Sequence, residues 1–154
     1  MFKKMFAVLC AAMLCGMTYS AEAIVNDRRP VLVGFSYLQQ TEITKAMVDG
    51  AKDAVKKLKA KLIIRDGRGD AEIQMAQIHD LIAQETGCVV AVFDDIAANG
   101  RVTESGKNTG TPIVLVEGRQ SSPKAARDAA YKAVEEAWNK VKARAVKPSF
   151  YNGY

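Results

Sequence analysis

From position 31 onward, short apolar runs alternate with longer stretches in which apolar residues return every three or four positions. Residues 31–35 form an uninterrupted apolar run, the pattern of a strand covered on both faces of a parallel sheet. From Thr41 to about residue 59, Ile43, Met47, Gly50, Ala51, Ala54 and Leu58 draw one helical stripe, with Lys45, Lys52 and Lys56 on the opposite side. Leu62, Ile63 and Ile64 predict a second strand, closed by Asp66-Gly67-Arg68-Gly69. Asp70 is the expected N-cap of a second helix, because its carboxylate can accept the free N–H groups of the first turn. Met75, Ile78, Leu81 and Ile82 form that helix's inner side, and Gly87 is its expected stop after about residue 85.

Residues 88–93 predict a third strand, followed by a weaker third helix to about residue 108 with Asp94 or Asp95 as its cap. Residues 113–116 predict the fourth strand. Ser122 before Pro123 reads as a cap and a first helical position, opening a helix to about residue 143 with Ala126, Ala130, Ala133, Val134 and Ala137 on one face. The resulting β-α-β-α-β-α-β-α string predicts an α/β fold, a three-layer flavodoxin-like parallel sheet with right-handed crossovers and helices on both faces. Its expected strand order is 2-1-3-4, with the last helix folded back beside the first.

The first 23 residues follow another logic. Lys3 and Lys4 precede a charge-free apolar stretch at 6–17, and Ala21-Glu22-Ala23 supplies the small-x-small pattern of a secretory signal peptide cleaved after Ala23. That stretch is shorter than the roughly 20 residues of a membrane span, and neither Cys10 nor Cys15 follows a small residue, as a lipoprotein site would need. Removing the leader leaves 131 of the 154 residues, enough for one core, and lowers the formal charge from +5 to +4. Of three cysteines only Cys88 then stays, which excludes an intramolecular disulfide framework. One thiol and one histidine, His79, argue against a zinc site and most histidine-based catalysis, and His79, nine residues before Cys88 and across Gly87, is a poor base for that thiol. The small charge of mixed sign argues against nucleic acid. The expected organisation is a signal peptide at 1–23, one domain at 24–145 and a tail at 146–154, whose Phe150, Tyr151 and Tyr154 favour docking over fraying.

Five blocks in register carry a resemblance. They are residues 31–35 followed by Ser36, Ala46-Met47-Val48-Asp49-Gly50-Ala51, residues 61–66 followed by Asp70, residues 77–84, and Thr111-Pro112-Ile113-Val114-Leu115-Val116-Glu117. Over residues 31–119 the chain resembles the N-terminal lobe of the ribose- and galactose-type (type 1) periplasmic binding proteins, a fold shared with lactose-repressor effector domains. The resemblance implies a substrate-binding role, since two such lobes close on a sugar in that family. Here a single lobe is expected, with the helix at 122–143 standing where the family crosses to its second lobe. The family's aromatic pair at the start of helix one falls on Ile43 and Thr44, and its Asn-Pro motif falls on Phe93-Asp94. Its Asp-Arg pair after strand four has a near counterpart in Glu117 and Arg119, with Gly118 inserted.

Ligands of open α/β sheets bind outside the carboxyl ends of the strands. That edge collects Ser36, Tyr37, Gln40, Asp66, Arg68, Asp94, Glu117 and Arg119 as ligand-binding candidates, with Gln39 and Asp95 beside them. Carboxylates and a guanidinium fork suit polyol hydroxyls, and the Tyr37 ring offers a stacking face. Asp66, Asp70 and Asp94 have an alternative as turn and cap residues. Gly67-x-Gly69 follows the second strand, and the first turn, 36–40, holds no glycine, which excludes a dinucleotide site. Arg68-Gly69-Asp70 is read as a chance adhesion tripeptide. Asp66, Asp94 and Asp95 lack the lysine that magnesium-dependent phosphoryl chemistry would use and are read as caps. His79 is expected to face solvent, and Cys88 to be a buried inert thiol.

Together these readings predict a non-catalytic, cofactor-free periplasmic module that binds a small polar, sugar-like ligand for ABC uptake or sensing, with a permease or a sensor as membrane partner. A face-to-face homodimer would rebuild a two-walled cleft. Two alternatives stay open: a ligand-free interaction or regulatory partner, and a truncated receptor remnant.

Overall fold

The expected alternation forms as β1 (Leu32–Tyr37), α1 (Glu42–Leu58), β2 (Lys61–Asp66), α2 (Ala71–Ala83), β3 (Cys88–Phe93), α3 (Gly100–Thr109), β4 (Ile113–Glu117) and α4 (Pro123–Ala145). The structure, a computed structural model, describes residues 30–94 and 100–145. The expected leader, Asp95 as an expected cap, and the tail lie outside the described residues. All strand pairs are parallel, in the order β2-β1-β3-β4. Alternate side chains therefore divide between two layers. Phe35, Tyr37, Val90, Val92, Val114 and Val116 pack beneath α1 and α4, while Val89, Ala91 and Phe93 pack with Ile78, Leu81 and Val102 of α2 and α3.

Local chemistry sets the helix ends. Thr41 Oγ1 accepts from Thr44 N at 3.1 Å and Thr44 Oγ1 accepts from Thr41 N at 2.7 Å, a capping box with threonine in the usual Glu or Gln position. Asp70 accepts from Glu72 N and Ile73 N at 2.8 and 3.2 Å, and Ser122 Oγ from Ala125 N at 3.2 Å. The expected stop at Gly87 needs correction. Helix α2 ends at Ala83, and the left-handed residue after it is Glu85, with φ 56°. Gly87 is small for packing, because a Cβ there would run into the Val31 side chain.

Helix α4 does fold back beside α1. Ala126, Ala130, Ala133 and Ala137 are buried along the seam, facing Met47, Ala51 and Ala54. At Gly50 the helices meet so closely that any Cβ would collide with the Arg127 carbonyl. Lys57–Glu135 at 3.0 Å and Arg127–Asp53 span the same seam in solvent, where such pairs add little.

Gly50→Ala is expected to lower stability by about 1–3 kcal/mol through overpacking, read as a fall in denaturant midpoint; an unchanged midpoint would refute the close seam. Cys88 is fully buried, and burial pushes its thiol from 9.0 to about 12. A raised acid pKa in the folded state leaves stability intact below the unfolded value and removes it as pH climbs from about 9 toward 12. Stability curves across that range should fall in the wild type and flatten in Cys88→Ala. Thiol reagents at pH ~8 should label Cys88 only on unfolding.

Candidate functional site

The strand order reverses direction between β1 and β3, and in open α/β sheets this switch point opens a crevice beyond the carboxyl ends. A cleft of about 380 Å³ lies there. Leu38, Gln39, Thr41, Ile43 and Thr44 wall it on the β1–α1 side, Val92 and Asp94 come from the end of β3, and Gly118, Arg119 and Gln120 follow β4.

Both walls are tied down. Thr44 Oγ1 donates to the Gln39 carbonyl at 3.0 Å, which holds the β1–α1 turn against the capping box. Opposite, Gly118 N donates to the Phe93 carbonyl at 2.7 Å and Gln120 Nε2 to the Glu117 carbonyl at 2.9 Å. A Cβ at position 118 would lie 2.5 Å from Asp94 Oδ1. The glycine between Glu117 and Arg119 thus lets the Asp94 carboxylate lie across this turn. The arrangement offers a carboxylate acceptor, a guanidinium fork and amide groups around an apolar floor of Leu38, Ile43 and Val92, a pattern suited to hydroxyl-bearing molecules.

Of the sequence candidates, Asp94 and Arg119 meet in this cleft. Ser36 and Tyr37 do not, because β1 runs two residues beyond the apolar pattern and carries both into the core. Ser36 is fully buried on the α2 side, its Oγ without a hydrogen-bond partner. Tyr37 is only 8% exposed, with its ring centroid 6.5 Å from that of Phe35, so it presents no stacking face. Burial, then the neighbouring Asp66 carboxylate, pushes its phenol above the ordinary value. Gln40 is exposed beside the cleft without lining it, and Glu117 is exposed at the end of β4. Asp66 and Arg68 form a turn at the far end of β2, where Asp66 Oδ1 accepts from Arg68 N at 2.8 Å.

Thr41, Thr44, Ile43 and Gln120 were absent from the sequence candidates. The available signal was positional, since Ile43 and Thr44 stand where the resemblance puts the family's aromatic pair. Gln74 was missed too. It is fully buried in step with Ile78 and Leu81, and its Nε2 donates to the Val92 carbonyl at 2.9 Å beneath the cleft. A larger groove of about 500 Å³ runs between α2 and α3, past Glu72, His79, Arg101 and Glu104. These four are exposed helix-surface residues remote from the strand ends, and we take the switch-point cleft as the candidate site. Among the described residues no cluster of three His, Cys, Asp or Glu side chains is placed to hold a metal ion.

No family model and no curated protein matches the chain. Solved structures do. An ABC transporter solute-binding protein from Bacillus halodurans with bound myo-inositol aligns with TM-score 0.52 and 21% identity over 58% of this chain and 32% of its own. An ABC sugar transporter subunit from Rhodobacter sphaeroides aligns with TM-score 0.52 and 15% identity over 59% and 33%. A sugar ABC transporter protein from Yersinia enterocolitica reaches TM-score 0.56 at 11% identity over 80% and 48%. The chain spans about a third of the length of the first two. The fold of the described residues is that of a lobe of the type 1 periplasmic sugar-binding proteins.

Because the capping box builds one cleft wall, Thr41→Ala is expected to cost about 1 kcal/mol and Thr41→Ser much less. Chemical-shift changes should stay at 38–45; equal stability of the two variants would remove the box from the account.

Proposed function

We propose that the protein is a non-catalytic, exported binding module that takes a small polyhydroxylated ligand, sugar-like in its hydroxyl spacing, at the switch-point cleft. The observation that carries this reading is the juxtaposition of Asp94 and Arg119 across an apolar floor where open α/β sheets bind their ligands. A carboxylate accepts two hydroxyl hydrogens and a guanidinium donates a planar pair, so adjacent hydroxyls on one ring edge match both. Gln39 and Gln120 add amide groups that can serve either partner. The leader pattern at 1–23 supports cleavage after Ala23 and a periplasmic location. The proteins of like fold serve ABC transport of sugars or bind myo-inositol, which supports delivery to a membrane permease or sensor.

The cleft is built from one lobe alone and lies near the lower end of the usual ligand-site range, about 300–1,000 Å³. Affinity for a monosaccharide is therefore expected near the millimolar level, about 4 kcal/mol of binding free energy. Two-dimensional amide NMR of the chain from Ile24 onward, titrated with myo-inositol, L-arabinose and D-ribose, tests this directly. Shifts should concentrate at 38–44, 92–94 and 118–120, and Arg119→Ala and Asp94→Asn should each weaken binding about tenfold, the value of a charge-assisted hydrogen bond. Silence toward all three sugars at concentrations well above the millimolar level, or shifts confined to the α2/α3 groove, would sink the reading and favour a protein-interaction role.

A further inference from the structure

The two outer edges of the sheet are built differently. On β2, Lys61 N and Gly67 N bond to Val31 and Tyr37 carbonyls, so the backbone of Leu62 and Ile64 faces outward. That edge is guarded by charge: Lys61 is exposed and Arg65 Nη1 caps the Ile64 carbonyl at 3.4 Å. On β4, Pro112 O and Gly118 N bond to β3, which leaves the N–H and C=O groups of Ile113, Leu115 and Glu117 facing outward. Among the described residues nothing pairs with this edge, and residues 111–116 carry no charge. Val114 and Val116 are buried beneath α4, but Ile113 and Leu115, on the α3 side, are only half-buried.

We infer that β4 pairs antiparallel with β4 of a second copy of this chain, about a two-fold axis through Val114, doubling the sheet. In that register Ile113 lies opposite Leu115 of the second copy and Leu115 opposite its Ile113, which completes an apolar cross-strand cluster on the α3 side. The outward N–H and C=O groups of Ile113 and Leu115 exchange hydrogen bonds across the axis. Glu117 comes opposite position 111 of the second copy, beside Gly110, against which the Arg144 guanidinium packs. A carboxylate at one end of the edge and a guanidinium at the other form the charge pattern that an isologous, antiparallel contact uses twice.

The rival occupant is the chain's own segment 146–154. Helix α4 lies on the α1 side of the sheet, so a parallel strand added beyond β4 would close a left-handed crossover, the rare hand. The edge pairing leaves each switch-point cleft open at opposite ends of the doubled sheet. It is independent of ligand binding.

Light scattering after size exclusion, with residue-resolved amide exchange, tests the pairing on the chain from Ile24 onward. The mass should approach two chains at high concentration, and the Ile113, Leu115 and Glu117 amides should gain protection as concentration rises. Glu117→Arg should weaken the dimer about tenfold, since a two-fold contact counts each exposed pair twice, and the double variant Glu117→Arg/Arg144→Glu should restore it; melting curves check that each variant folds. Single-chain mass with fast exchange at these three amides would overturn the inference. So would protection that survives dilution and disappears on deletion of 146–154. A dimer indifferent to the charge swap but broken by Arg119→Glu would instead place the contact at the clefts and equally overturn it.

Discussion

Where Gly50 meets the Arg127 carbonyl, α1 and α4 approach closely enough for α4 to lie flat over β3 and β4. Any larger residue at that point would lift the helix from the sheet. The alanines of α4 extend the contact along the seam, and beneath it Cys88, Val90, Val92, Val114 and Val116 lose nearly all their solvent exposure. At about 0.8 kcal/mol per buried methylene, this apolar seam outweighs the exposed Lys57–Glu135 and Arg127–Asp53 pairs that flank it. Tyr131 first and Glu135 second push the Lys57 amine upward, and Lys57 pulls the Glu135 carboxylate downward, so both groups hold their charge more firmly.

The position of α4 shapes both the cleft and the sheet edge. After β4 the chain turns back toward the α1 side, so the 117–122 turn stands across from the β1–α1 turn at 38–44. Their facing surfaces are the two sides of the crevice at the switch point. Among the described residues, the same choice of side leaves the opposite face to α2 and α3, and Ile113 and Leu115 at the margin are only half-covered. Cleft and open edge thus have a common origin in the helix that returns beside α1.

Much of this was legible in the sequence. Runs of apolar residues marked the strands, the spacing of three and four marked the helices, and right-handed crossovers left few ways to order four parallel strands. The caps Asp70 and Ser122 were readable because they rest on local chemistry, whereas the Thr41–Thr44 box, with threonine in place of Glu or Gln, was not. The site was less legible because side-chain direction at a strand end depends on parity and on where the strand stops. Two added residues in β1 turned Ser36 toward α2 and Tyr37 toward α1, which removed both from the edge. Asp94 and Arg119 lie just beyond their strands and kept their places, and Gly118, noted only as an insertion, proved to be the residue that makes room for the Asp94 carboxylate.

The cleft's chemistry limits what it can do. Asp94 and Arg119 are exposed, so any hydroxyl that bonds to them displaces water that was bonding nearly as well, and the net gain per contact stays modest. Deep burial would strengthen those bonds by lowering the local dielectric, but would also charge the desolvation of both ions against binding. A shallow site avoids that penalty and gives up affinity in return. For the ligand class proposed, selectivity would come from geometry: the Arg119 guanidinium fork and the Asp94 carboxylate lying against Gly118, faced by a capped helix start, would favour one spacing of hydroxyls over another. Rigid walls matter more here than deep ones, because a ligand that gains little from each contact cannot also order the residues that make them.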